Sequence, residues 1–192
     1  MIVCGLDLSL TNAGIAILAD GRPTLLTSVG HGGKNGADYA HRSRRVRSQC
    51  QAVLNVLRDN IRNRLAGIDL AVIEGPSYGS VYGDPFDRAG LWHGVFGALD
   101  AKKVPIAVVA PSTLKKWVTG KGNADKAAVL ATVREWCGPR VANHDEADSL
   151  ALAYVGAYTL GDPIPFAPKE RHRIGLEQVK WPEGLIRCES AK

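Results

Sequence analysis

Several absences narrow the reading of this 192-residue chain. Its four cysteines, Cys4, Cys50, Cys137 and Cys188, are scattered, with no CxxC pair and no histidine at ligand spacing. That argues against a disulfide framework or a structural zinc site and fits free thiols in a reducing cytoplasm. No apolar run approaches the ~20 residues of a membrane span, so no membrane role is expected. The N-terminus, MIVCGLDLSL, lacks a basic leader and carries Asp7, so it reads as a core strand and not as a signal peptide. Acids are scarce between His31 and Arg64, where eight Lys or Arg face only Asp38 and Asp59. With a formal net charge of +5, that surface suits a polyanion such as nucleic acid, or is simply a solvated helix face.

What is present has a clear order. Residues 2–9, 14–20 and 23–29 are short apolar runs with tight connections, as in an antiparallel meander. Apolar residues at Val46, Val53, Leu54, Leu57, Ile61 and Leu65 give helical spacing to the second half of 38–65. Residues 68–75 and 104–111 read as buried strands, 86–101 as a helix, and 112–160 as two or three helices. The last two strands need helical crossovers and so lie parallel to the first. The expected fold is α/β: a mixed five-stranded sheet, three antiparallel strands then two parallel, with helices on both faces. It fills residues 1–160. Residues 161–192 read as a Pro-rich, basic tail or arm, with Leu176 to Arg187 forming a small element.

Carboxylates stand where apolar residues are expected. Asp7 interrupts a core strand, which is costly without a partner. Alternatively it is a turn residue that ends the strand early. Glu74 closes a second strand, as a solvated strand-end acid could. If the two strands are parallel neighbours, both acids emerge at the same end of the sheet, where α/β proteins bind ligands. The stretch NHDEADSLAL (143–152) adds three acids. Asn143 and Glu146 form a capping-box pattern that explains Glu146 and tolerates Asp145. Asp148 lies beyond the first turn, three residues from Asp145 and on its helix face. Four carboxylates without a Cys or His pattern make a hard, oxygen-rich site suited to Mg²⁺ or Mn²⁺.

At this point the sequence resembles the RuvC family of Holliday-junction resolvases, within the RNase H-like superfamily. The pieces GLDLSLTNAGIAIL, LAVIEG, KKWVTGKGNADKAAV and NHDEADSLALA follow the family's order over roughly residues 1 to 158. The resemblance implies a structure-selective, Mg²⁺-dependent endonuclease that cuts four-way DNA junctions as a homodimer, leaving 5′-phosphate and 3′-hydroxyl ends. The catalytic acids would be Asp7, Glu74, Asp145 and Asp148, holding two metal ions with Asp7 as the bridge. Lys126 would act on the phosphate. Lys115, Lys116, Gly120, Lys121 and Gly122 match the family's DNA-contacting segment. The basic cluster Arg42, Arg44, Arg45 and Arg47 would hold phosphates. Tyr78 would probe the junction centre, with Tyr82 and Phe86 behind it. The Gly- and Pro-rich stretch 74–86 departs from the family pattern.

Rival readings keep the same fold: a nuclease for flaps, other branched DNA or RNA–DNA hybrid, or a non-catalytic nucleic-acid-binding module. An actin-like kinase would need a second domain half, for which the chain is too short. The helix around Gly90, Gly94 and Ala98 permits close backbone approach, either in a dimer or against its own sheet.

Overall fold

Strand β1 (Ile2–Asp7) sets the architecture because its side chains alternate between two buried faces. Val3 enters one apolar cluster, while Cys4 and Leu6 enter the other. β2 (Ala13–Ala19) pairs antiparallel with β1, and β3 (Arg22–Val29) antiparallel with β2. On the other side, β4 (Leu70–Glu74) runs parallel to β1, and β5 (Ile106–Val109) parallel to β4. The resulting order is β3-β2-β1-β4-β5, the mixed sheet read from the sequence. The computed structural model describes residues 1–76 and 84–185.

One sheet face is covered by α1 (Tyr39–Asn60) and α2 (Pro85–Asp100). Val53, Leu57, Leu91, Val95 and Leu99 bury Leu6, Ile15, Ile17 and Ile73 there. Gly90 and Gly94 let these two helices approach, since a methyl at Gly94 would meet Cys50 Sγ at 2.6 Å and one at Gly90 would crowd Val46. That small-residue stripe therefore faces α1 rather than the sheet.

The opposite face carries α3 (Pro111–Thr119), α4 (Lys126–Cys137) and α5 (His144–Leu160). α5 lies against β1 and β2 with backbone nearly touching backbone. A methyl at Gly5 would overlap the Ser149 carbonyl, and one at Gly14 the Asp145 carbonyl. From Glu146 to Thr159 every residue is buried except Asp148. A residue left uncovered in such a helix faces an opening, and Asp148 faces the end of the sheet where Asp7 sits.

Two boundaries differ from the sequence reading. The first strand ends at Asp7, not at residue 9, because Leu8 and Leu10 leave the ladder and pack into the α1–α2 cluster. Their apolar character marks a buried loop, which a one-dimensional reading cannot distinguish from strand. Beyond α5, Ile164, Phe166, Leu176, Val179, Trp181 and Leu185 pack against the α3–α5 cluster. The helix in this segment is α6 (Glu170–Ile174), earlier than the expected element at Leu176. Its His172 is buried, with ring centroids 5.0 Å from both Trp117 and Phe166. Burial holds that imidazole down at about 4, reinforced by Arg171 and Lys169, so it packs as a neutral ring. Among the described residues, no helix is long and apolar enough to cross a membrane.

Candidate active site

Asp7 and Glu74 are the last residues of adjacent parallel strands, one step beyond the paired Leu6 and Ile73. Strand alternation puts both on the α5 face: Val3, Gly5 and Asp7 lie on one side of β1, as do Leu70, Val72 and Glu74 on β4. The first turn of α5 is held by reciprocal caps. Asn143 Oδ1 accepts from the Glu146 N–H at 2.9 Å, and Glu146 Oε2 accepts from the Ala142 N–H at 2.8 Å. Glu146 is thereby committed to the cap, leaving Asp145 and Asp148 for the cleft.

Asn12 also enters the site. Its Nδ2 donates to Asp145 Oδ2 at 2.5 Å, across 133 residues of sequence. Asn12 lies in the β1–β2 turn, where Ser9 Oγ accepts from the Thr11 and Asn12 N–H groups. Polar turn residues are so common that nothing in the sequence singled it out.

The carboxylates share a strongly perturbed environment. Burial pushes Asp7 well above the ordinary carboxylate range, and Glu74, Asp148 and Asp145 push it further, with Lys126 opposing. Burial likewise raises Glu74 to about 7, with Asp148 adding to the rise. A hydrogen bond with Asp7 and the charges of Lys126 and Lys115 pull Glu74 back. Both shifts run upward, so the Asp7–Glu74 pair resists carrying two negative charges at once. Asp148 rises to about 6, chiefly by burial, against the pull of Lys126.

Among the described residues, no three His, Cys, Asp or Glu side chains converge as a ready-made ligand set. The donor chemistry nevertheless fits a hard divalent cation. The group is all oxygen, crowded and desolvated, and it resists full ionisation unless positive charge is added. Asp7, Glu74, Asp145 and Asp148 are the residues that would hold it.

The basic residues divide by what they already touch. Lys126 is the first residue of α4 and exposed, and Lys115 is half-buried on α3; both act on Glu74 and Asp148. Between the two helices, Gly120 adopts φ +87° and closes α3, its N–H donating to the Lys116 carbonyl at 2.8 Å. Lys116 and Lys121 are exposed around this turn, and Gly122 lies against Ser112. Arg42, by contrast, is engaged within the chain. It grips Asp87 through Nε at 2.9 Å and Nη2 at 3.0 Å, pairs with Asp84, and covers the Tyr39 ring at 5.2 Å. Arg45 Nη2 donates to the carbonyls of Leu10 and His31. Arg44 and Arg47 are exposed. Phe86 is exposed on the first turn of α2, while Tyr78 and Tyr82 lie outside the described residues.

Arg42→Ala is expected to act on stability, lowering it by about 1 kcal/mol, as is usual for a bidentate but solvent-reachable pair. A double-mutant cycle with Asp87→Ala checks this: the two changes should cost little more together than either does alone.

A five-stranded sheet in this order, with a long buried helix on one face and acids at the ends of its first and fourth strands, is the RNase H-like fold. No family model matches the sequence, and no curated protein matches it. Solved structures do match. The chain resembles Thermus thermophilus RuvC with a TM-score of 0.63 and 22% identity, over 86% of this chain and 100% of that one. A second structure, T. thermophilus RuvC in complex with a Holliday junction substrate, gives a TM-score of 0.58 at 20% identity, over 80% of this chain and 90% of that one. The yeast mitochondrial Holliday junction resolvase gives 0.51 at 16%, over 79% and 75%. The fold expected from the four sequence pieces is therefore the fold present.

Proposed function

We propose that this protein is a structure-selective endodeoxyribonuclease that hydrolyses phosphodiester bonds at four-way DNA junctions. The observation that carries the proposal is that the charges of Glu74, Asp148 and Asp145 all act on the buried Asp7 at the end of the sheet, while Lys115 and Lys126 act on Glu74 and Asp148. Likeness in fold to two resolvases supports the choice of substrate. Mg²⁺, with Mn²⁺ as a substitute, would supply an activated water and charge stabilisation of the leaving 3′ oxygen, giving 5′-phosphate and 3′-hydroxyl ends.

The chain's own residues do the rest. Asp7 and Glu74 present oxygen donors from rigid strand ends, and Asn12 fixes the orientation of Asp145. Lys126 and Lys115 draw the scissile phosphate toward a group that would otherwise repel it. Lys116 and Lys121 offer exposed ammonium groups, and Gly122 a backbone N–H, to the flanking phosphates, around the turn that Gly120 makes with its own N–H held by the Lys116 carbonyl. A homodimer would place two such sites on the two symmetric strands of one junction.

The test is a panel of labelled four-way junction, flap, duplex and RNA–DNA hybrid with Mg²⁺. Paired symmetric nicks in the junction are expected. Preferential cutting of flap or hybrid would move the protein to another nuclease class, and absence of cutting on every substrate would leave a binding module.

A further inference from the structure

The cluster Arg42, Arg44, Arg45 and Arg47 crowds four positive charges into one and a half turns of α1, an arrangement that repels itself. The structure relieves only half of it. Arg42 is neutralised by Asp84 and Asp87, and Arg45 donates to two backbone carbonyls. Among the described residues, neither Arg44 nor Arg47 forms an ion pair or hydrogen bond.

These two arginines open a continuous polar stripe. With Ser48, Gln51, Ala52 and Asn55 they line one shallow surface groove along α1. Arg44, Arg47, Ser48, Gln51 and Asn55 are all exposed. Their spacing of three and four residues keeps them on one helix face. The stripe contains no acid until Asp59, one turn past Asn55, and no large apolar side chain. Such a face repels an apolar partner helix and attracts a polyanion.

Its position gives it direction. Arg45 and Gln49 tie this part of α1 to the β1–β2 turn, Gln49 Nε2 donating to the carbonyls of Ser9 and Val29 at 3.0 and 2.7 Å. Ser9 is two residues beyond Asp7. The stripe thus starts beside the carboxylate end of the sheet and leads away along the helix. From Arg44 to Asn55 it spans about 16 Å, at about 1.5 Å per residue. That is roughly five base pairs of duplex, at about 3.4 Å per phosphate along each strand.

We propose that this face of α1 is a second DNA-binding surface, which seats the phosphate backbone of one duplex arm leading away from the cleavage site. Arg44 and Arg47 supply the charge, and Ser48, Gln51 and Asn55 supply hydrogen-bond donors to successive phosphates. The inference rests on the branched-DNA reading above.

The test measures binding of a labelled four-way junction in EDTA, from 50 to 250 mM NaCl. It compares wild type, Arg44→Glu/Arg47→Glu, and Lys102→Glu/Lys180→Glu as an exposed control with the same change in charge. For the arginine pair, the slope of log K against log[salt] should shrink by about 2, with affinity at 50 mM NaCl falling at least tenfold. Its thermal midpoint should stay that of wild type, and the control should keep most of the wild-type slope. Equal losses in the two double variants, or no loss in the arginine pair, would overturn the inference and leave the nuclease proposal standing. A wild-type protein that binds no branched DNA would overturn both.

Discussion

Asp7→Asn is expected to abolish cleavage, by roughly a thousandfold or more, and at the same time to stabilise the metal-free protein. The two effects have one cause. Asp7 is buried beside three other carboxylates, so its charged form is disfavoured by desolvation and by repulsion. Glu74 at about 7 and Asp148 at about 6 show the same burden. In the unfolded chain these acids ionise near pH 4. Folded-state affinity for protons is therefore raised, so the stability associated with these groups is complete below about pH 4 and declines as pH rises through 6 and 7. At pH 8 Glu74 and Asp148 have titrated past their folded-state values, and the metal-free wild type carries their full share of the penalty.

An asparagine at position 7 keeps the shape and removes one charge. Its thermal midpoint at pH 8 should exceed that of wild type by about 5 °C, and its decline between pH 4 and 8 should be shallower. Mg²⁺ should raise the wild-type midpoint markedly and that of the variant far less, because bound cation offsets the repulsion in the native state only. Thermal melts at pH 4, 6 and 8, with and without Mg²⁺, check each part. A variant that melts below wild type at pH 8 would show that Asp7 makes a stabilising contact and is not a strained ligand.

The way these acids are held explains what the sequence could disclose. Asp7 and Glu74 were conspicuous because a charge at the end of an apolar run breaks a pattern, and Asp148 because the cap of α5 left it without a task. The mixed character of the sheet, three antiparallel strands then two parallel, followed from connection lengths, whereas the order β3-β2-β1-β4-β5 came from the structure. Pattern-breaking is a local signal, however, and several determinants are not local. Asn12 is an ordinary turn residue until α5 brings Asp145 beside it. Arg42 and Arg44 are alike in sequence, and only the arrival of Asp84 and Asp87 on α2 separates an internal clamp from an exposed cation. The anchors of residues 161–185 are apolar residues dispersed among prolines and basic residues, with no period to reveal them. Gly5 and Gly14 are equally silent in sequence, yet the whole placement of α5 depends on them.

That dependence makes the second large prediction. Gly5→Ala puts a methyl into the Ser149 carbonyl and the Ala153 backbone nitrogen, and neither can move without lifting α5 from the sheet. Overpacking against backbone in a site this tight should cost about 3 kcal/mol, lowering the thermal midpoint by about 6–12 °C. Gly14→Ala acts one turn nearer the site, against the Asp145 carbonyl and Ser149 Oγ. It should displace the end of α5 that carries Asp145, so cleavage falls more than stability does. Gly97→Ala is the internal control, because no atom outside its own turn of helix lies within 4 Å of the added methyl and the residue lies within α2, in its last turn. There the gain in helix propensity should stabilise by about 0.5–1 kcal/mol and leave cleavage untouched. Melting and cleavage assays on the three variants separate the possibilities. If Gly5→Ala melts and cleaves like wild type, α5 is not seated against β1 as described, and the register that brings Asp148 toward Asp7 fails with it.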